Sequence, residues 1–197
     1  MSVRVLGIDP GLTRCGVGIV DVSATRTPVL VHVSVITTSP DLALEQRLMI
    51  VSAGIERLID EHRPDSVAVE RVFAQHNVRT VMGTAQVSGI ALLAAARRSL
   101  PVGLHTPTEV KAAITGYGQA DKRQVGTMVA KVLRLDEIPK PADAADALAL
   151  AICHAWRIPL GSGSSSGAGS ATETPAQRAW RAAEQGTAKR VAARRLA

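Results

Sequence analysis

The chain has 197 residues, 46% of them hydrophobic and only 2% aromatic, which allows one domain whose core is filled by Ala, Val, Leu and Ile. Its two cysteines, Cys15 and Cys153, show no Cys/His metal spacing and are expected as buried free thiols; no apolar run reaches membrane-spanning length, and no signal peptide opens the chain, so a cytoplasmic protein is expected. The net charge of +6 is carried largely by the tail from Ile158, which holds six basic and two acidic residues, so bulk charge does not make the rest a nucleic-acid binder; local basic patches must do so.

The run VRVLGID, Val3 to Asp9, is apolar and β-branched and stops at Pro10-Gly11, which predicts a buried strand and a tight turn. CGVGIVDV, Cys15 to Val22, predicts its hairpin partner, and Val29 to Thr37, with Val31, Val33 and Val35 alternating against His32 and Ser34, a half-buried third strand. Ser39-Pro40 then offers an N-cap and first-turn proline for a helix with Leu44, Leu48, Val51, Ile55 and Leu58 on one face, ending near His62-Arg63-Pro64. Ser66 to Glu70 predicts a short central strand. A long helix is expected from Asn77 to Arg98, with Val78, Met82, Ala85 and Leu92 on one face, and Val102 to His105 a fifth strand.

Thr106-Pro107-Thr108-Glu109 reads as a capping box that starts a helix stopped by Gly116, and Asp121 with Gln124 as a second such start. The final helix is KPADAADALALAICHAW, Lys140 to Trp156, with Ala145, Leu148, Ala149 and Ile152 inward. Residues 1–157 form the folded domain, 158–175 a Gly/Ser-rich linker and 176–197 a basic Ala/Arg-rich tail. Three hairpin-like strands followed by alternating helices and strands give an α/β class with a mixed sheet.

The final helix poses the functional question, since a segment suited to burial carries Asp143 and Asp146. Three residues on a helix turn through about 300°, so the two share a face. Placement in the first turn, where the helix dipole favours a carboxylate, accounts for Asp143 but not for Asp146. Asp9 and Glu70 each end an apolar strand; a strand-end acid is also compatible with plain solvent exposure. In an open α/β sheet, however, strand ends converge where ligands bind, so the acids can meet there. Four carboxylates in one cleft need compensation, and an oxygen-only set suits Mg²⁺ or Mn²⁺. Paired ions of this kind assist in-line displacement at phosphorus.

The motifs GIDPGLTRCGVGIVD (Gly7 to Asp21), VAVERVF (Val67 to Phe73), DKRQV (Asp121 to Val125) and PADAADALALAICH (Pro141 to His154) together resemble the RuvC family of bacterial Holliday-junction resolvases, over about residues 3–157. The resemblance implies a ribonuclease-H-like fold, with a five-stranded mixed sheet flanked by helices and the first three strands antiparallel. It implies a homodimer that makes paired nicks in a four-way DNA junction, in partnership with the RuvA–RuvB branch-migration complex. The family's catalytic acids and metal ligands, for two Mg²⁺ or Mn²⁺ per subunit, fall on Asp9, Glu70, Asp143 and Asp146. Phe73 falls at its base-stacking aromatic, where sequence alone reads an ordinary core Phe. Lys111 and Lys122 match lysines near the scissile strand, where sequence alone reads ordinary solvated helix-end cations, and Arg71, Arg79 and Arg123 are weaker phosphate-contact candidates. Asn77 and Gln86 stand at family-like positions with no role assigned. The expected reaction is hydrolysis without a covalent enzyme intermediate, leaving 5′-phosphate and 3′-hydroxyl ends.

Other readings fit parts of the chain. GIDPG also resembles the phosphate loop of actin-like ATPases and sugar kinases, although the chain is short for their two-lobed cleft. A junction-binding module without catalysis and a nuclease for RNA–DNA hybrids share the remaining features.

Overall fold

The computed structural model describes residues 2–71 and 78–158, with no side-chain description at 78–80. Strands β1 (Val3–Asp9), β2 (Arg14–Val22) and β3 (Pro28–Thr37) are followed by helix α1 (Leu44–His62), β4 (Ser66–Glu70), α2 (Val78–Arg97), β5 (Val102–His105), α3 (Pro107–Thr115), α4 (Lys122–Leu133) and α5 (Ala142–Arg157). The sheet order is β3-β2-β1-β4-β5, so β1, not β4, is central. Short turns make β1–β2 and β2–β3 antiparallel, whereas helical crossovers make β1–β4 and β4–β5 parallel. Because β1 and β4 run the same way in register, with Ile8 beside Val69, their terminal acids Asp9 and Glu70 leave the sheet at the same edge.

Each face of the sheet has its own core. On one, Leu6, Ile8, Cys15, Val17, Ile19, Val67 and Val69 pack against α1 and α2. On the other, Val5, Val20, Val22 and Ala68 pack against α3, α4 and α5. Each fully buried Leu or Ile contributes roughly 1.5–3 kcal/mol. Both cysteines are free and buried.

The α5 face is built for close approach. A Cβ added at Gly7 would stand 2.2 Å from the carbonyl oxygen of Ala147, and one at Gly16 would stand 2.1 Å from that of Asp143. Glycines on β1 and β2 therefore let the Ala-rich α5 lie directly on the strands. This contact explains the helix's composition: its residues from Ala147 to Cys153 are all buried, so small side chains are needed around its whole girth.

Two local expectations are corrected, and a third is given its direction. Ser39-Pro40 does not cap α1. Ser39 Oγ accepts from the Asp41 amide at 3.2 Å, the Ser39 carbonyl accepts from the Leu42 amide at 3.3 Å, and the helix begins at Leu44 after Ala43 without a side-chain cap. The serine closes a local turn instead. In β3 the register shifts between Ile19 and Val20, which pair with His32 and Leu30. Val31 is the extra residue and packs with the α1/α2 core, while Val33 packs on the opposite face, so the valine alternation is broken by a bulge. In α2 the inward face is Gly83, Val87, Ala91, Ala94 and Ala95, whereas Met82, Ala85 and Leu92 are exposed. The inward face is small apart from Val87, while Met82 and Leu92 point outward with Ala85.

Candidate active site

Capping chemistry sets the walls of the site. Thr106 Oγ1 accepts from the Glu109 amide at 3.2 Å and Glu109 Oε2 from the Thr106 amide at 2.8 Å, which starts α3 and places Lys111 on it. The carboxylate of Glu109 is pulled down to about 2, first by that backbone bond and further by Arg157. At α4, Asp121 Oδ1 accepts from the Gln124 amide at 2.8 Å and Gln124 Oε1 from the Asp121 amide at 2.9 Å, so Lys122 becomes the first helical residue. Both predicted capping boxes are present.

Between these helices, α5 and the ends of β1 and β4 lies a cleft of about 310 Å³. Asp9, Glu70, Asp146, Lys111 and Lys122 line it, together with Pro107, Val110, Val125, Ala149 and Leu150. Three acids far apart in sequence thus meet two lysines. The fourth acid, Asp143, is on the adjacent turn of α5, with its backbone against Gly16, the ladder partner of Asp9.

Charge is crowded here. The Asp9 carboxyl is pushed up to about 7, chiefly by burial, then by Glu70 and Asp146; Lys122 opposes the rise and Asp143 adds to it. Glu70 is raised by burial and by Asp146, again opposed by Lys122. Cys15, close enough to feel Asp9 and Asp143, is pushed up to about 12, mainly by burial. The two helix acids have cationic partners: Lys122 Nζ donates to Asp146 Oδ2 at 2.8 Å, and Arg14 Nε to Asp143 Oδ2 at 2.6 Å. The bond to Asp146 is the main reason the Lys122 ammonium holds its proton more tightly than usual. Among the described residues, no three His, Cys, Asp or Glu side chains are gathered closely enough to hold an ion as they stand. The donor set nevertheless fits a hard divalent cation: it is all carboxylate, and its buried member, Asp9, has its ionised form disfavoured by burial and then by its acidic neighbours.

Of the other sequence candidates, Arg71 and Arg123 are exposed, next in sequence to Glu70 and Lys122. Gln86 is half-buried on α2. Phe73 and Asn77 lie outside the described residues, as does the side chain of Arg79. Sequence reasoning missed Arg14, an ordinary strand-end cation whose partner is 129 residues away. It also missed the pair His105 and His154, whose Nε2 and Nδ1 are 2.9 Å apart. His105 is the ladder partner of Glu70, and both rings are held toward the neutral form by burial, His154 down to about 4. Gly103 makes room for them, since its Cβ would stand 2.3 Å from the His154 ring.

Comparison with known proteins bears on the family and the fold. Residues 5–154 match the family model described as crossover junction endodeoxyribonuclease RuvC. The protein of that name from Leifsonia xyli subsp. xyli is 63% identical over 207 aligned residues, covering 100% of both chains. The solved structure of Thermus thermophilus RuvC in complex with a Holliday junction substrate superimposes with a TM-score of 0.74 at 37% identity, over 78% of this chain and 93% of that one. A yeast mitochondrial Holliday junction resolvase shares the fold at 14% identity, with a TM-score of 0.56 over 78% and 79% of the two chains. The fold is ribonuclease-H-like. The chain belongs to the RuvC family of crossover junction endodeoxyribonucleases.

Proposed function

We propose that this chain resolves four-way DNA junctions by hydrolysing phosphodiester bonds at the cleft between β1, β4 and α5. Asp9, Glu70, Asp143 and Asp146 are the catalytic acids and would hold the divalent ions, Mg²⁺ or Mn²⁺, two per subunit. The observation that carries this reading is the meeting of Asp9, Glu70 and Asp146 with Lys111 and Lys122 in one cleft of a chain from this family. Bound ions supply neutralisation of the scissile phosphate and a more acidic water. The chain's own contribution is to position and to balance charge. Lys122 is shared between Asp146 and the cleft, so it can turn to a phosphate oxygen as negative charge grows there. Lys111 faces the same space from α3. Arg71, Arg79 and Arg123 extend the cationic path for the DNA backbone, and Phe73 stacks on an unpaired junction base, a contact typically worth about 1–3 kcal/mol.

Paired nicks need two sites related by symmetry, and a homodimer provides them. The exposed stripe of Met82, Ala85, Gly89, Leu93 and Ala96 on α2 supports that assembly, because its positions recur at helical spacing and leave an apolar face uncovered. Partnership with the RuvA–RuvB branch-migration complex and action in the cytoplasm follow from the family reading; among the described residues no helix is long and apolar enough to cross a membrane. We assign catalysis to residues 1–157, with 158–175 as linker and 176–197 as basic tail.

A nicking assay tests the reading. A synthetic four-way junction, a linear duplex and an RNA–DNA hybrid are each incubated with Mg²⁺ and with EDTA. Paired nicks in the junction with Mg²⁺ alone are expected. Cutting that persists in EDTA, or that favours the hybrid, contradicts it.

A further inference from the structure

Arg14 opens β2 two residues before Gly16, on the same face of the strand, beside the first turn of α5. Its bond to Asp143 is short, at 2.6 Å, yet open to solvent, with the two side chains 48% and 26% exposed. Lys122 makes the matching bond to Asp146, but Lys122 and Asp146 both line the cleft. Among the described residues, neither Arg14 nor Asp143 does. Asp143 therefore sits between two environments. Outside the cleft is a guanidinium; inside are Asp9 and its neighbours, and Asp143 already adds to the rise of the Asp9 carboxyl.

We propose that Arg14 is a positioning residue that holds Asp143 away from the cleft in the DNA-free protein and exchanges its carboxylate for a backbone phosphate when DNA binds. The proposal rests on reading the cleft as a divalent-cation site. A guanidinium presents the same fork of donors to a carboxylate and to a phosphate, so the exchange conserves its hydrogen bonds. An exposed pair is weakly held, so an incoming phosphate can displace it. Released from Arg14, Asp143 adds negative charge to a crowded cleft, a cost that a cation bound there offsets. Phosphate at Arg14 and cation in the cleft then favour one another, and such coupling is reciprocal.

The test is Mn²⁺ binding to the full chain without DNA, followed by calorimetry and by loss of the free-ion resonance signal. Arg14→Gln removes the competitor and is expected to bind Mn²⁺ about two- to fivefold more tightly than wild type, the range set by a weak exposed ion pair. Arg14→Lys keeps the charge and is expected to fall between the two. In EDTA, Arg14→Gln is expected to bind a junction more weakly, with a shallower salt dependence by about one phosphate contact. A residue that merely supports the fold would not tighten ion binding when removed. Unchanged or weaker Mn²⁺ binding by Arg14→Gln, while Asp9→Asn loses binding, overturns the role of Arg14 and leaves the cation site standing. Equal binding by wild type and Asp9→Asn, or none by wild type, overturns the cation site and the proposal together.

Discussion

Gly16 lies so close beneath Asp143 that a single methyl group between them would stand 2.1 Å from the Asp143 carbonyl oxygen. Gly16 is also the ladder partner of Asp9. One backbone contact thus sets the distance between the helix acids and the strand acid. Gly16→Ala is expected to push the start of α5 off the sheet, with a loss of about 1–3 kcal/mol typical of overpacking. Nicking should fall further than stability explains, because the misplaced acids remain misplaced in the folded fraction. Chemical denaturation and nicking rates measured on the same preparation check this; an Ala variant with wild-type rates would show that the spacing is not critical.

The raised Asp9 carboxyl has a consequence for the metal-free protein. Between about pH 4, the ordinary carboxylate range, and about pH 7, the folded state keeps a proton that the unfolded chain releases. The folded state binds more protons in that window, so its stability falls as pH rises through it. Glu70 is shifted in the same direction. His154, held down to about 4, acts in the opposite sense and loses stability as pH falls below the ordinary histidine range. Comparison with Asp9→Asn isolates the Asp9 contribution. In EDTA the Asn variant is expected to match wild type near pH 4 and to be the more stable by pH 8, as read by thermal unfolding. A constant difference across the range would contradict the shift.

The uncovered face of α2 predicts a dimer that one charge can open. Leu93 is 51% exposed and Met82 54%, so replacing either changes little within the monomer. Leu93→Glu is expected to convert a sedimenting dimer to a monomer while leaving the thermal unfolding of the monomer nearly unchanged. It should also abolish paired nicking. A wild-type protein that sediments as a monomer at micromolar concentration, or a variant that remains dimeric, would place the subunit contact elsewhere or nowhere.

The features legible in the sequence are those with a local cause. The capping boxes at Thr106 and Asp121 are spelled out in four-residue patterns, and the acids at Asp9 and Glu70 stand out because each ends an apolar run. Asp146 stood out because a carboxylate so far into an alanine-rich helix lacks a dipole explanation. Ser39-Pro40 misled because the same two residues serve a turn as well as a cap. The shared face of Met82, Ala85 and Leu92 was legible from helical spacing, but which way it points was not, because that depends on the packing that selects Ala91 and Ala95 for the inside. The β3 bulge and the Arg14–Asp143 pair left no local trace, since each depends on a partner strand or helix elsewhere in the chain. The glycines of CGVGIVD did leave one: glycine at alternate strand positions marks a face that another backbone approaches.

The central claim is that the acids of this cleft do the cutting and the rest of the molecule does the binding. It is tested most directly by Asp146→Asn, a near-isosteric change that removes one charge from the partner of Lys122. Junction nicking in Mg²⁺ and junction binding in EDTA are measured side by side with the wild type. Loss of nicking by at least about a hundredfold, the scale of a lost charge-stabilising group in a catalytic site, with binding within a few fold of wild type, is the predicted result. Nicking at the wild-type rate would contradict the account.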